Sequence, residues 1–227
     1  MRRCTPIALL LALAGCGLPP TATHGRVDSG FLSTYAHLAP DAVRPDLIAW
    51  RLPQARLRDY DSVVVEMPVM RRRPDDVLPS PEERMNMTLA LQAEIKRALA
   101  PRFRLLEAAG GDGTPVGRIL RVKTAITTAL LDRGDLPPEP EHHGWGEVPM
   151  RFAFECEVID AGNAKPLARM VSFDRTQWVP PRTITPWPAC TRDFATWASD
   201  AAWLVQPPEA ARAGDEPPAA SPAPVST

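Results

Sequence analysis

Two adjacent histidines, His142 and His143, are the residues of this sequence whose chemistry best suits a metal ion. They lie in the segment DRGDLPPEPEHHGWGEVP, with the carboxylates of Glu139, Glu141 and Glu147 close by. Histidine nitrogens and carboxylate oxygens can bind Zn²⁺, but the spacings H-E-x-x-H and H-x-x-E-H are absent. Because adjacent histidines tend to point apart, the pattern favours a polar loop. No metal and no cofactor is predicted.

Nucleophilic catalysis also lacks its sequence motifs. Neither G-x-S-x-G nor S-x-x-K occurs anywhere in the chain. Asp59 and Asp61 flank Tyr60, and this arrangement is more typical of a turn than of an acid/base pair. Carboxylate pairs of the glycosidase kind depend on separation in space, so the sequence cannot exclude them. The sequence assigns no catalytic residue, and we expect a protein that is not an enzyme.

Cys16 is the residue with the clearest chemistry. It follows an n-region with Arg2 and Arg3 and a short apolar run, which resembles a secretory signal. That run is much shorter than the roughly 20 residues that span a bilayer. The stretch Leu13-Ala14-Gly15-Cys16 resembles a bacterial lipobox, which implies cleavage between Gly15 and Cys16. The alternative is an ordinary signal peptide with a cysteine near its cut site by chance.

The lipobox resemblance implies a membrane anchor on Cys16. The cysteine sulfur would carry diacylglycerol, and its amine would carry a further acyl chain such as palmitate. Two or three chains give stable anchoring, since each buried methylene contributes about 0.8 kcal/mol. Gly17 stands where an aspartate would resemble an inner-membrane retention signal. We therefore expect the periplasmic side of the outer membrane in a Gram-negative source.

The other cysteines and the charge set further limits. Cys4 would leave with the signal peptide, so Cys156 and Cys190 remain in an oxidising compartment. They form either one disulfide or two free buried thiols, and the sequence leaves both alternatives open. The formal net charge is −1 and the pI is about 6.4, which gives no case for a nucleic-acid partner.

The regular elements that must position these residues are also visible. Ser62–Met67 is a β-branched run typical of a buried strand. Ser80, Pro81 and Glu83 predict the start of a helix with a capping box, which continues to about residue 100. Its apolar stripe falls at spacings of three and four residues, and comprises Met87, Leu91, Ile95 and Ala98.

The second half of the chain reads as further strands and one more helix. Residues 103–106 and 120–130 predict strands, and 150–158 predicts an antiparallel strand with Phe154 on a packed face and Glu155 and Glu157 on a solvated one. A turn at 160–163 would lead into a hairpin with 167–174. A last helix should begin with Thr191 as its cap. Its stripe would pack on the sheet, and comprises Phe194, Trp197, Ala201 and Leu204.

Short motifs in the first third resemble a known family. Ser29-Gly30-Phe31-Leu32 is followed by Tyr35 and Pro40, and Leu57-Arg58-Asp59-Tyr60-Asp61-Ser62-Val63 enters the first long strand. These motifs, with the carboxy-terminal helix, resemble the bacterial lipoproteins grouped as domain of unknown function 3313 (DUF3313), over roughly residues 29–205. The resemblance implies a small α/β lipoprotein domain. It supplies no catalytic residues.

Together these patterns predict four segments. Residues 1–15 are a lipoprotein signal peptide, 16–28 a lipidated cysteine and flexible tether, 29–205 the globular domain, and 206–227 a disordered Pro/Ala-rich tail. The fold class predicted for the domain is α+β, with a mixed or antiparallel sheet of about four to six strands and two helices on one face.

The functional hypothesis is a non-enzymatic, lipid-anchored envelope protein that binds another envelope component. The alternatives are a lipid-tethered envelope hydrolase, which would bring carboxylates or His142 and His143 into a pocket, and a carrier of lipids or small ligands, which would enclose an apolar cavity.

Overall fold

The structure, a computed structural model, describes residues 29–41, 44, 46–52, 57–71, 79–107, 118–129, 148–174, 177–179 and 187–206. The predicted signal peptide and tether, and all of the predicted tail except Gln206, lie outside these residues. Within them the structure has two helices, α1 (Pro81–Leu99) and α2 (Phe194–Leu204). Neither is long and apolar enough to cross a bilayer.

Nine strands form the sheet in the described part of the chain. They are β1 (Ala39–Pro40), β2 (Leu47–Arg51), β3 (Ser62–Val65), β4 (Val69–Met70), β5 (Arg104–Leu106), β6 (Ile119–Ala129), β7 (Val148–Asp160), β8 (Pro166–Phe173) and β9 (Gln177–Val179). Their spatial order is β1-β2-β8-β7-β6-β3-β5, with β4 also paired to β6 and β9 to β7. The neighbours from β1 to β6 pair antiparallel, whereas β3 and β4 lie parallel to β6, and β5 lies parallel to β3.

The α+β class and the mixed sheet are confirmed, but the predicted strand number was too low. Two of the additional strands, β1 and β4, contain only two residues each. A run of two residues carries no measurable alternation, so sequence periodicity cannot reveal it. The long hairpin of β7 and β8 was predicted correctly, and Asp160 Oδ1 stabilises its turn by accepting from the Gly162 amide at 2.8 Å.

Helix α1 follows its sequence signals closely. The Ser80 hydroxyl accepts from the Glu83 amide at 3.2 Å, and the Glu83 carboxylate accepts from the Ser80 amide at 2.9 Å, which completes the capping box. The predicted stripe is buried at Met87, Leu91 and Ile95, and its last buried member is Leu99 rather than Ala98.

Helix α2 begins later than the sequence predicts. Thr191 belongs to a 3₁₀ turn that spans Trp187–Asp193, and Asp193 holds the cap position without a side-chain hydrogen bond. The tighter 3₁₀ turn continues directly into the helix, so a capping hydroxyl is not needed at Thr191. The predicted apolar stripe is correct, and the Trp197 ring stacks on Phe154 with centroids 5.5 Å apart.

The two faces of the sheet are covered by different parts of the chain. The helix face packs against α1 and α2 and forms the main core, as predicted for two helices on one side. The opposite face, called here the second face, carries a smaller core of Ala153, Val171 and Phe173. Residues 29–38, called here the strap, cover this second core through Leu32 and neighbouring apolar side chains.

The Tyr60 motif forms a turn, as the sequence indicates. The Tyr60 hydroxyl donates to Asp160 Oδ2 at 2.6 Å, which links the entry of β3 to the turn after β7. Burial and the neighbouring Asp160 raise the pKa of Tyr60 to about 12. Asp59 instead accepts from Arg118 at 2.6 Å. The two flanking aspartates therefore do not act together as an acid/base pair.

Two leucines of α1 test the importance of the helix-face core. Replacing the fully buried Leu91 by alanine should lower the free energy of unfolding by about 2–5 kcal/mol, because a cavity remains. The same change at Leu89, which is 45% exposed, should cost less than about 1 kcal/mol. Urea unfolding measures both free-energy losses. Because both variants replace leucine by alanine in the same helix, the change in helix propensity is the same and does not affect the comparison. Equal losses would contradict this packing.

Candidate functional site

The residues singled out by the sequence lie mostly outside the described structure. Gly15, Cys16, His142 and His143 are among these, so the structure does not test the lipidation site or the histidine loop. Within the described ranges, no three histidine, cysteine, aspartate or glutamate side chains come together as metal ligands.

Cys156 and Cys190 both lie in the helix-face core. The structure describes them as free, buried thiols. Burial raises the pKa of both thiols, so neither is activated as a nucleophile. The disulfide between them stays a prediction for the exported protein.

The second face of β7 carries two buried carboxylates, those of Glu155 and Glu157. They are 0% and 3% exposed, so the prediction that they lie on a solvated face was wrong. The strap covers them, and it supplies hydrogen-bond donors that the β7 sequence alone does not reveal. A buried carboxylate is stable only where such donors or cations replace water.

Tyr35 of the strap is the donor to Glu155. Its hydroxyl donates to Glu155 Oε2 at 2.5 Å and lies 3.1 Å from the Ser29 hydroxyl. Gly30 adopts a φ of +70°, in the left-handed region that favours glycine, and this turn brings Ser29 back toward Tyr35. Burial raises the pKa of Glu155. Burial and the hydrogen bond to Glu155 raise the pKa of Tyr35.

Ser33, Arg169 and Lys123 surround Glu157. The Ser33 amide donates to Glu157 Oε1 at 3.1 Å, and the Ser33 hydroxyl donates to the same oxygen. Arg169 Nε donates to that oxygen at 3.0 Å, and Lys123 Nζ lies 3.7 Å from Oε2. Burial acts to raise the pKa of Glu157, but the bonds from Ser33 and Arg169 outweigh it and hold the pKa below its ordinary value.

The β-sheet register contained a signal for this cluster. Glu157 pairs directly with Lys123 of β6 on one side and with Arg169 of β8 on the other. Opposite charges at such cross-strand positions attract each other. The pairing of these three strands would predict the ion cluster, but it would not predict the strap that buries it.

A pocket of about 560 Å³ lies between α2 and the end of β8. It is lined by Arg44, Asp46, Leu47, Ser172, Phe173, Ala195, Thr196, Ser199 and Asp200. Asp200 is its central acid: it accepts from the Ser172 hydroxyl at 2.6 Å and pairs with Arg44. Burial raises the pKa of Asp200, whereas Ser172 and Arg44 act against that shift.

The polar side chains around this pocket hold α2 against neighbouring parts of the fold. Arg44 lies over the Trp203 ring at 5.2 Å, and Arg51 lies over the same ring at 4.1 Å. Arg44 thus joins the segment before β2 to helix α2, and Ser172 joins β8 to that helix. Arg44 bonds to Asp200 Oδ1 and the Ser172 hydroxyl bonds to Oδ2, so both carboxylate oxygens are used within the fold.

A fourth buried acid, Asp174, directly follows the end of β8. Its Oδ1 accepts from the Phe152 amide at 2.8 Å, and Arg151 donates to its backbone oxygen at 2.7 Å. Burial raises the pKa of Asp174 to about 7, from an ordinary value of 3.8. The folded protein therefore binds this proton more tightly than the unfolded chain does.

Comparison with known proteins identifies a family for part of the chain. The family model described as "Protein of unknown function (DUF3313)" matches residues 27–133, which confirms the resemblance read from the strap and Tyr60 motifs. No curated protein matches the sequence.

Solved structures with similar features include three bacterial proteins. The PelC dodecamer from Paraburkholderia phytofirmans is 13% identical, covering 68% of this chain and 95% of that one, with a TM-score of 0.34. A neuraminyllactose-binding hemagglutinin homolog from Helicobacter pylori is 7% identical, covering 68% and 92%, with a TM-score of 0.42. Lipoprotein GNA1162 from Neisseria meningitidis is 11% identical, covering 62% and 99%, with a TM-score of 0.29. These low scores carry no argument about function.

The two tyrosines of this chain test how strongly the strap is held. Tyr35→Phe should lower the free energy of unfolding by about 1–3 kcal/mol, because buried Glu155 loses its donor. Tyr60→Phe should cost less, about 0.5–1 kcal/mol, since Asp160 keeps the amides of Gly162 and Asn163 as donors. Urea unfolding compares them. Adding Glu155→Gln to Tyr35→Phe should recover part of the loss, and a larger loss in Tyr60→Phe would contradict the site.

The raised pKa of Asp174 predicts a pH dependence of stability. Its contribution is fully present below about pH 3.8 and is lost as the pH rises through about 7. Asp174→Asn mimics the protonated acid, so it should be more stable than the parent by about 2–4 kcal/mol at pH 8, with the difference shrinking toward pH 4. Denaturant unfolding across this range measures it. Parallel stability curves for the two proteins would rule out the titration of Asp174.

Proposed function

From the match of the DUF3313 family model to residues 27–133, we propose that the chain is a lipid-anchored lipoprotein of the bacterial envelope. Its domain is a non-enzymatic binding module that faces the periplasm from the outer membrane and holds another envelope component.

The stretch Leu13-Ala14-Gly15-Cys16 is the observation that carries the anchoring. It follows a positively charged n-region and an apolar run too short to span a bilayer, so it fits the end of a cleavable export signal. Cleavage before Cys16 leaves this cysteine as the first residue and the site of the diacylglycerol. Its acyl chains then hold the protein at the membrane, because two or more chains bind stably.

The placement at the outer membrane follows from the residue after the lipid. Gly17 does not resemble the aspartate of an inner-membrane retention signal. The tether, residues 17–28, contains twelve residues and reaches at most about 40 Å when fully extended. The domain that begins at Ser29 would therefore work close to the bilayer surface.

The arrangement of polar side chains supports binding over catalysis. Glu155, Glu157 and Asp200 each bond to side chains that hold two parts of the fold together. Within the described part of the chain, only Glu155 of these three acids keeps an oxygen, Oε1, without a partner, and that atom is buried away from solvent. Among the described residues, these carboxylates therefore serve the fold rather than a reaction with a substrate. The hydrolase and the carrier remain alternatives, and no contact among the described residues favours either of them.

Acylation of Cys16 can be tested against a matched cysteine. In cells fed labelled palmitate, Cys16→Ala should remove the label from the protein, because the acylated atom is lost. Cys4→Ala should keep the label, since this residue leaves with the signal peptide. Label that persists in Cys16→Ala would contradict the anchor. Membrane fractions should contain the parent protein, and recovery of the parent in the cytoplasm would contradict the proposed location.

A further inference from the structure

The second face of the sheet is only partly covered by the strap. Beside the strap, over β5, β3, β4 and β6, this face carries four basic side chains, called here the basic face. The alternation of side chains along a strand assigns these four to one side. The helix-face core contains or contacts apolar residues of the same strands, namely Val63, Val65, Met70 and Val122. The residues next to them in each strand therefore point to the second face. The members of the basic face are Arg71, Arg104, Arg121 and Lys123.

The positive charge of the basic face exceeds the negative charge beside it. The Arg121 side chain is 47% exposed and lies 3.3 Å from Glu66, whose side chain is 35% exposed. Lys123 is 34% exposed and lies 3.7 Å from Glu157, which is buried and also bonded to Arg169. Arg71 and Arg104 are exposed. The described part of this face thus presents net positive charge, although the whole chain carries −1.

Apolar side chains border these cations. Val69 is 41% exposed and points to the same face, because its neighbour Met70 packs against the helix-face core. Phe31 of the strap is half-buried, and Lys123 Nζ lies 5.8 Å from its ring centroid. Cations interleaved with partly exposed apolar groups suit the boundary between lipid headgroups and acyl chains.

The start of the domain lies next to the basic face. Val69 pairs with Ala125, which pairs with Glu155, so these residues form one row across three strands. Tyr35 bonds to Glu155 and contacts Ser29, where the described domain begins. Two strand spacings amount to about 10 Å, so the tether joins the domain beside Val69.

We propose that the basic face lies against an anionic phospholipid surface. The proposal rests on the proposed function for its orientation, because a tether that joins the domain beside this face lets the face reach the membrane that holds the lipid. Each Lys or Arg near an anionic surface strengthens binding about fivefold. Four cations at full effect would give half-saturation at about 1 mM accessible lipid, and this is an upper limit on the affinity because Arg121 and Lys123 are paired with Glu66 and Glu157. The anchor strengthens this binding by restricting the domain to the surface.

Vesicle binding of the chain without its lipid tests this face directly. The chain from residue 16 onward, carrying Cys16→Ser, is sedimented with vesicles of phosphatidylcholine alone or mixed with phosphatidylglycerol. Binding should require the anionic lipid at about 10 mM salt and disappear at about 1 M salt, where the Debye length falls to about 3 Å.

Paired variants separate this face from general charge effects. Arg104→Gln with Arg121→Gln should weaken binding about 25-fold, at fivefold for each charge. Arg97→Gln with Arg192→Gln removes two exposed cations from the helix side and should change binding less than about threefold, because these residues point away from the surface. Near-UV circular dichroism confirms that both proteins are folded.

Three results would overturn the proposal: equal weakening by the two pairs, equal binding to neutral and anionic vesicles, or no sedimentation with anionic vesicles at low salt. The assay uses unlipidated protein, so it does not depend on acylation of Cys16. Failure of the palmitate labelling would remove the anchor and leave this binding intact, and the two proposals therefore fail separately.

Discussion

Glu155 and Glu157 stand on the middle strand of the sheet with their carboxylates buried, and the need to satisfy them constrains the surrounding structure. A carboxylate removed from water is destabilising unless donors or cations take the place of its hydration. Tyr35 and Ser33 come from the strap, Arg169 from β8 and Lys123 from β6. The two acids therefore bind three separate parts of the chain to β7. The strap donates to Glu155 Oε2 and Glu157 Oε1, whereas the buried Glu155 Oε1 has no hydrogen-bond partner among the described residues.

The strap gives the sheet a second core that the helices cannot reach. Leu32 packs on Ala153, Val171 and Phe173, on the side of the sheet away from α1 and α2. Among the described residues, the strap covers the β7, β8 and β2 part of this side and borders β6 through Phe31, while Arg71, Arg104 and Val69 beside it are exposed. The same segment that satisfies the buried acids thus also sets where the domain joins its tether and which face lies beside that junction.

The buried polar groups of the domain join its helices, strands and turns to one another. The Arg44–Asp200–Ser172 contacts fix α2 against β8, and the Tyr60–Asp160 bond closes the far end of β7. These contacts fix α2 and the turn after β7 against the sheet. A lipid at Cys16 would add affinity by raising the local concentration of the domain at the membrane, without any new contact in the fold.

The sequence by itself determined the local elements. The capping box at Ser80, the stripe of α1 and the hairpin of β7 and β8 all depend on residues close in the chain, and they were predicted correctly. The lipobox at Cys16 is likewise a short, contiguous motif, which is why it can be read without a structure. The resemblance to DUF3313 could be recognised from the sequence for the same reason, because its motifs are runs of a few residues.

Only the tertiary structure showed that both faces of β7 are buried. Alternation of Phe154 with Glu155 and Glu157 predicts a solvated acidic face, because charge is normally exposed. The donors that overturn this prediction lie more than 100 residues away in the strap, and nothing local to β7 indicates them. The very short strands and the partners of Asp200 were missed for a related reason: contacts between distant residues fix them, and such contacts leave no periodic pattern in the chain.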